Sequence, residues 1–171
     1  MILEVKMIHL REIKKSDLDA YFHAINHSTE ESYKYVGGKK IFTNEQIKQY
    51  LDRIVGNNQR VDWLMTLDGD IIGEVVLMDI SDDDSAHLRL AIFDDKHFSK
   101  GYGTFAIKEI LRHGFDYLKL HRIELEVYDF NERAIGLYKK IGFTEEGRLR
   151  QAYKMNGYHD IVLMSILEDE F

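Results

Sequence analysis

Apolar positions along this chain change period several times, and each change predicts an element. Residues 8–13 alternate apolar and polar side chains, the period of a half-buried strand. Ser16 then opens a helix, with Asp19 at its third position as a weak capping box, and Leu18, Phe22 and Ile25 mark the apolar face. Gly37, Gly38, Lys39 and Lys40 read as a loop. Thr43 and Gln46 form a better capping box, and Ile47, Tyr50, Leu51, Ile54 and Val55 follow at helical spacing until Gly56 ends the run. Val61–Leu67 and residues 71–80 read as strands joined across Asp68 and Gly69, a strong hairpin signal. Residues 81–85 form an acidic turn and residues 86–93 a third strand. A polar loop, residues 94–100, leads to Gly101 and a helix reaching about Leu118, with Ile107, Ile110, Leu111, Phe115 and Leu118 on one face. Arg122–Tyr128 reads as a strand, residues 131–142 as a short helix, and residues 143–153 and Tyr158–Leu167 as a hairpin across Asn156 and Gly157.

The resulting order is β-α-α-β-β-β-α-β-α-β-β. It predicts an α/β chain of the α+β kind, with one mixed sheet of about seven strands and four helices on its faces. No repeat, linker or low-complexity segment interrupts residues 1–171, which read as a single domain.

Composition narrows the function. Hydrophobic residues make up 44% of the chain, enough for a full core, yet no apolar run approaches a membrane span. The N-terminus lacks a signal-peptide pattern, so a cytoplasmic location without membrane attachment is expected. A formal net charge of −7 argues against nucleic acid as a partner and is compatible with a cationic substrate such as a polyamine or basic peptide. Cysteine is absent, which removes disulfides, thiolate ligands and a covalent cysteine route for acyl transfer. Proline is absent too, so turns rely on Gly, Asn and Asp. His23 and His27 are four apart but lack a third ligand at metal-binding spacing, so no metal is expected.

Two segments carry chemistry. In residues 131–143, Asn131 is a good N-cap and Gly142 sits where a helix needs a left-handed residue. Asn131 and Tyr138 are seven residues apart, two helical turns, with the small Ala134 between them. A phenol, with an ordinary pKa near 10, can serve as an acid toward a thiolate whose thiol titrates near 8.5. An ordinary capped amphipathic helix would also explain the pattern. The second segment is Lys100, Gly101, Tyr102, Gly103, Thr104, Phe105 and Ala106, between a strand and a helix. Backbone N–H groups and a helix N-terminus there suit a phosphate or pyrophosphate, and Thr104 adds a hydroxyl. The same glycines satisfy a dinucleotide fingerprint, with Glu124 about 20 residues on. The long polar loop before Gly101 and the small amount of parallel sheet after it speak against that reading.

The pattern N-x-x-A-x-x-L-Y-x-x-x-G-F over residues 131–143 resembles the second cofactor motif of the GNAT N-acetyltransferases. Gly101 and Gly103 resemble the first motif, Q/R-x-x-G-x-G/A, although Phe98 stands at the Q/R position. Leu10, Arg11, residues 146–150, and the run Asn156, Gly157, Tyr158, His159 and Asp160 extend the resemblance over nearly the whole chain. That C-terminal hairpin is similar to the branch containing ribosomal-protein N-terminal and spermidine N-acetyltransferases. The resemblance implies a sheet that splays open where the donor enters, and acetyl-CoA as co-substrate. The acceptor it implies is a primary amine, on a protein N-terminus, a polyamine or another small molecule. A homodimer or larger homo-oligomer is compatible with it. Direct attack in a ternary complex is the simplest route, because there is neither cysteine nor a G-x-S-x-G elbow.

Site residues follow from the same resemblance. Tyr138 is the acid for the thiol. Leu90, Ala91, Ile92 and Phe93 should offer backbone groups to the pantetheine arm and thioester carbonyl. Phe98, Ser99, Lys100, Gly101, Tyr102, Gly103 and Thr104 should hold the pyrophosphate, and Asn131 should contact the pantetheine or order its groove. The base is open. His87 stands where the branch often carries a glutamate, and an imidazole suits neutral pH. Strand alternation puts Arg89 on the same face as His87. Glu74 and Asp79 on the neighbouring strand are alternatives, acting through water. Tyr33 and Tyr35 are candidates to line the acceptor site. Glu30 and Glu31 suit a polycation, whereas Lys39 and Lys40 do not. A non-catalytic acyl-CoA-binding module on the same fold is the rival function.

Overall fold

The computed structural model describes residues 7–38 and 40–171; Lys39 of the expected loop lies outside them. Seven strands form one sheet: β1 (Ile8–Glu12), β2 (Val61–Leu67), β3 (Asp70–Met78), β4 (Ser85–Ile92), β5 (Arg122–Tyr128), β6 (Thr144–Lys154) and β7 (Tyr158–Leu167). Their spatial order is β1-β2-β3-β4-β5-β7-β6. The helices are α1 (Leu18–Asn26), α2 (Glu30–Lys34), α3 (Asn44–Ile54), α4 (Tyr102–Arg112) and α5 (Glu132–Ile141). The mixed α/β architecture is as expected, with one helix more. α2 is a single turn, too short to show a hydrophobic period, and it forms because Thr29 caps it by accepting the Ser32 N–H at 3.4 Å.

Three expectations shift locally. The first helix opens on a 3-10 turn, Lys15–Asp17, and Asp17 replaces the Ser16/Asp19 box. The Asp17 carboxylate accepts the Lys14 N–H at 2.8 Å and a two-pronged Arg11 guanidinium at 2.8 Å on each oxygen, which holds it below the usual carboxylate range. α4 passes into a π-helical turn, His113–Tyr117, so the helical path reaches the expected end by a wider last turn. β3 ends at Met78, and Asp79 follows it in a left-handed conformation with φ 54. Asp79 is therefore an exposed turn residue rather than a strand residue.

The chain packs as two units, one running to Val76 and taking in Leu90–Ala106, the other comprising Leu77–Arg89 and Ile107–Phe171. In the first, Ile13, Tyr21, Ile47, Leu51, Ile54, Leu64 and Phe93 form a buried cluster. Each such aliphatic or aromatic side chain stabilises the fold by about 1.5–3 kcal/mol relative to an exposed one. The expected Thr43–Gln46 box is in place, with Gln46 N–H donating to Thr43 Oγ1 at 3.2 Å and Thr43 N–H to Gln46 Oε1 at 2.8 Å. β1 and β2 pair antiparallel from Ile8↔Leu67 to Glu12↔Trp63.

In the second unit, β5 alternates cleanly: Ile123, Leu125 and Val127 are buried, while Glu124 and Glu126 are not. β5 pairs antiparallel with β7 over seven residue pairs, Arg122↔Leu167 to Tyr128↔Ile161. Its parallel register with β4 covers three, Ser85↔Arg122, Ala86↔Ile123 and His87↔Glu124. β6 is the edge strand, irregular between Glu145 and Gly147 and again between Leu149 and Tyr153. Such bulges blunt an edge against further pairing. Among the described residues, no helix is long and apolar enough to cross a membrane.

Candidate active site

The glycine loop lies in the first unit. Ser99 at φ 58 and Gly101 at φ 82 both take left-handed backbone, and α4 starts at the next residue, Tyr102. A Cβ added to Gly101 would meet nothing within 4 Å, so the position stands in open space and it is the left-handed backbone at φ 82 that favours glycine there. That geometry fits a pyrophosphate held by backbone N–H groups. Ser99, Lys100 and Gly101 are exposed, Phe98, Tyr102 and Thr104 half-buried, and Gly103 buried. Thr29 anchors the approach to the loop: its N–H donates to the Phe93 carbonyl at 3.0 Å, and its Oγ1 accepts the Asp95 N–H at 3.3 Å. The Phe98 ring meets Tyr35 edge-on at 6.2 Å, so the residue at the Q/R position packs an aromatic instead of offering a polar contact.

β4 carries the expected donor-side residues. Its burial alternates through Ala86, His87, Leu88 and Arg89 and is then lost, with Leu90, Ala91 and Ile92 all half-buried. Phe93 is buried, and its N–H already donates to the Ile72 carbonyl at 2.9 Å. A pantetheine arm would therefore find its backbone partners at Leu90, Ala91 and Ile92 rather than at the Phe93 N–H.

The second unit holds Asn131 and Tyr138. Asn131 caps α5 as expected, with its side chain accepting the Ala134 N–H at 3.3 Å, and it is buried. At the other end, Gly142 at φ 126 donates to the Lys139 carbonyl at 3.2 Å, and Phe143 N–H donates to the Tyr138 carbonyl at 3.0 Å. This is a Schellman termination, and its usual apolar contact is the Phe143 ring on the Tyr138 ring, 5.5 Å between centroids. The helix stop thus fixes the catalytic candidate as well as ending the helix. Tyr138 is 6% exposed, and its hydroxyl has no hydrogen-bond partner among the described residues. Burial pushes the phenol up to about 12.

The base candidates occupy different settings. His87 is half-buried on the face of β4 shared by Arg89, as alternation requires, and stands in register with Glu124. Glu124 accepts from Arg122 at 2.7 Å. Glu74, on β3, is 6% exposed and accepts a hydrogen bond from the Tyr21 hydroxyl at 2.8 Å. Asp79 sits on the exposed turn beyond that strand. Of the two tyrosines expected to line the acceptor site, Tyr33 is buried and donates to the Ile25 carbonyl at 3.0 Å. Tyr35 is half-buried and donates to Glu31 at 2.8 Å.

Two residues that hydrogen-bond beside these candidates, Thr29 and Tyr21, escape a reading of the sequence. Thr29 gives no periodic signal. Tyr21 fits the helical spacing of Leu18 and Ile25 and is the most deeply buried residue of α1, ahead of the expected Phe22. No group of three or more His, Cys, Asp or Glu among the described residues could hold a metal ion.

Comparison with known proteins places this geometry. Residues 8–144 match the acetyltransferase (GNAT) domain, a stretch that takes in the glycine loop, Asn131 and Tyr138. The chain is 27% identical over 169 residues to a spermidine N(1)-acetyltransferase of Escherichia coli K12, covering 96% of this chain and 88% of that protein. Among solved structures, it is similar to a spermidine N-acetyltransferase from Vibrio cholerae in complex with CoA and spermine. That likeness has a TM-score of 0.84 and 26% identity, and covers 95% of this chain and 96% of the other. A ribosomal-protein-S5-alanine acetyltransferase from Vibrio fischeri shares the fold at a TM-score of 0.87 and 23% identity, over 98% and 97% of the two chains. With the family match spanning both motifs, the chain belongs to the GNAT acetyltransferases, which use acetyl-CoA as the acetyl donor.

Proposed function

We propose that this protein moves the acetyl group of acetyl-CoA to a primary amine by direct attack, with donor and acceptor bound together. The observation that carries the reading is Tyr138, buried on a helix whose two ends are both capped by side-chain or backbone bonds. A phenol pushed up to about 12 keeps its proton at every pH where an enzyme works. Full transfer from it to a free thiolate, whose thiol titrates near 8.5, would be uphill by on the order of 5 kcal/mol. Tyr138 therefore acts in concert: it gives its proton to the sulfur while taking one from the attacking nitrogen, and no free phenolate forms. The backbone of Ser99, Lys100, Gly101, Tyr102, Gly103 and Thr104 holds the pyrophosphate, Leu90, Ala91 and Ile92 line the pantetheine arm, and Asn131 orders the start of α5. The base that takes the amine's first proton is His87, with Glu74 acting through water as the alternative.

The acceptor is an amine of a protein N-terminus, a polyamine or another small molecule. The names of the relatives favour a polyamine. Against it stands the local chemistry between α1 and α3. Glu31 is already occupied by the Tyr35 hydroxyl at 2.8 Å and Lys34 at 3.9 Å, and the exposed Lys40 follows it. A turnover screen that detects free thiol decides the matter, with spermidine, N-terminal peptides and aminoglycosides as acceptors. Acetyl-CoA should also raise the melting temperature through mass action. Donor binding with no thiol release from any amine would favour the non-catalytic acyl-CoA-binding reading.

A further inference from the structure

We infer that Gly73 is a positioning residue for the donor: carrying no side chain, it lets the Ala91 carbonyl close onto β3, which leaves the Ile92 N–H turned outward for the pantetheine arm. This rests on the acetyltransferase reading above. Gly73, Ala91, Ile92 and the glycine loop all lie in the first unit.

Glycine weakens a strand from within, because it gives up side-chain packing and loses the most backbone entropy on folding. Gly73 nevertheless lies inside β3, in the buried run of residues 72–77. Its φ is outside the left-handed region, unlike Gly69 at φ 90 and Gly101 at φ 82, so backbone conformation does not call for glycine there. The requirement is spatial. A Cβ built on Gly73 would stand 2.3 Å from the Ala91 carbonyl oxygen and 3.2 Å from the Ile92 Cα. Both are backbone atoms, which cannot rotate aside. At Gly114, by contrast, the nearest atom is Cδ1 of Ile123 at 2.8 Å, the far end of a flexible side chain.

The same distances give the direction of the Ala91 carbonyl. Its carbon lies 3.3 Å from the built Cβ and its oxygen 2.3 Å, so the C=O bond points into the space a β3 side chain would fill. A trans peptide is planar, and its N–H points opposite to its C=O. The Ile92 N–H therefore points away from β3. The register of β4 with β5 covers Ser85, Ala86 and His87 and stops short of Ile92. Over the same stretch the alternation of burial is lost, and Leu90, Ala91 and Ile92 are all half-buried. An N–H directed this way suits the amide carbonyls of an extended pantetheine chain, as a sheet edge suits an added strand.

The neighbouring residues leave this peptide little room to yield. The Phe93 N–H donates to the Ile72 carbonyl at 2.9 Å and ties β4 to β3 beside Gly73. The Phe93 carbonyl accepts the Thr29 N–H at 3.0 Å, and the buried Phe93 ring meets Tyr21 edge-on at 6.2 Å. A methyl group at position 73 would force the peptide between Ala91 and Ile92 back by about 1 Å, the shortfall from an ordinary C···O contact of about 3.3 Å. With Phe93 pinned, that shift falls on the peptide that presents the donor N–H. The glycine loop lies beyond the pinned Phe93 and the bond from the Asp95 N–H to Thr29, and keeps its conformation. Gly73 thus governs the pantetheine half of the donor and leaves the pyrophosphate half alone.

The test measures binding of two ligands to the full chain by calorimetry: acetyl-CoA, and ADP, which carries a pyrophosphate without the pantetheine arm. Failure of the wild type to bind acetyl-CoA overturns the acetyltransferase reading itself. Once the wild type binds it, the comparison with Gly73→Ala concerns Gly73 alone. That variant should bind acetyl-CoA about tenfold more weakly or worse, the scale of one lost backbone hydrogen bond, with ADP affinity within about twofold of wild type. An unchanged acetyl-CoA affinity overturns the inference. So does an equal loss for both ligands, which a generally loosened sheet would produce. Amide hydrogen exchange on the wild type decides the matter if Gly73→Ala does not fold or ADP binds too weakly to measure. The Ile92 N–H should exchange readily in the free protein and slow by about tenfold or more when acetyl-CoA is bound. An Ile92 N–H already protected in the free protein, or unaffected by acetyl-CoA, overturns the inference.

Discussion

The glycine loop before α4 and the helix α5 solve opposite problems. The loop presents backbone, is largely exposed, and holds a non-glycine residue, Ser99, at a left-handed φ of 58. Such a residue stores roughly 1–3 kcal/mol of strain. α5 presents a side chain, buries it, and determines its position twice, by the Asn131 cap and by the Schellman stop at Gly142. Binding an anion needs open donors that a ligand can approach. Steering a proton needs one group whose position and ionisation are fixed before the reaction. On the proposed roles, affinity for the donor and rate of transfer would lie in separate parts of the chain and should be separable by mutation.

The sharpest break of that comparison is Tyr138→Phe, which keeps the ring and its contact with Phe143. Turnover should fall by about 10²-fold, the range for a lost general acid, while acetyl-CoA affinity changes by less than threefold. Equilibrium binding and steady-state assays check both numbers. Next comes Gly101→Val. A branched side chain at φ 82 is strained and fills the space in front of the helix N-terminus. Donor affinity should weaken by about tenfold or more by calorimetry, and an unchanged dissociation constant would remove the loop from the donor site.

These expectations trace back to how unevenly the sequence reveals the molecule. Caps are local chemistry, so Thr43–Gln46, Asn131 and Gly142 could be read directly and occupy their expected places. Strand alternation in β5 was equally plain. The Tyr21–Glu74 bond joins residues 53 apart, and nothing in either neighbourhood points to the other. α2 is a single turn without a period of its own. Asp79 looked like a strand residue because residues 71–80 are mostly apolar, yet the left-handed turn at φ 54 ends the strand before it. Patterns within one element were legible; contacts made by folding were not.

Two smaller effects sharpen the picture of α5 and its surroundings. Asn131→Ala removes a cap and should cost about 1 kcal/mol of stability, seen as a lower denaturant midpoint at unchanged slope. The second concerns pH. Hydrogen bonds from Arg122 at 2.6–2.7 Å hold the Glu146 carboxyl down to about 2, against an ordinary 4.5. A folded-state value below the unfolded one stabilises above about pH 4.5, and that stability is lost as pH falls toward 2. The side chains are exposed enough for solvent to screen the pair, so the effect is small. Glu146→Gln should flatten this part of the acid-unfolding curve; an identical curve would mean other carboxylates govern it.

The division of labour is tested most directly by single-turnover acetyl transfer at saturating acetyl-CoA, with Tyr138→Phe and Gly101→Val measured side by side. Saturation removes any defect in donor binding and leaves the transfer step. Gly101→Val should then react within a few-fold of wild type, while Tyr138→Phe stays about 10²-fold slower. A Tyr138→Phe rate that recovers at saturation, or a Gly101→Val rate that does not, would contradict the assignment of proton transfer to the buried phenol of α5 and donor binding to the glycine loop.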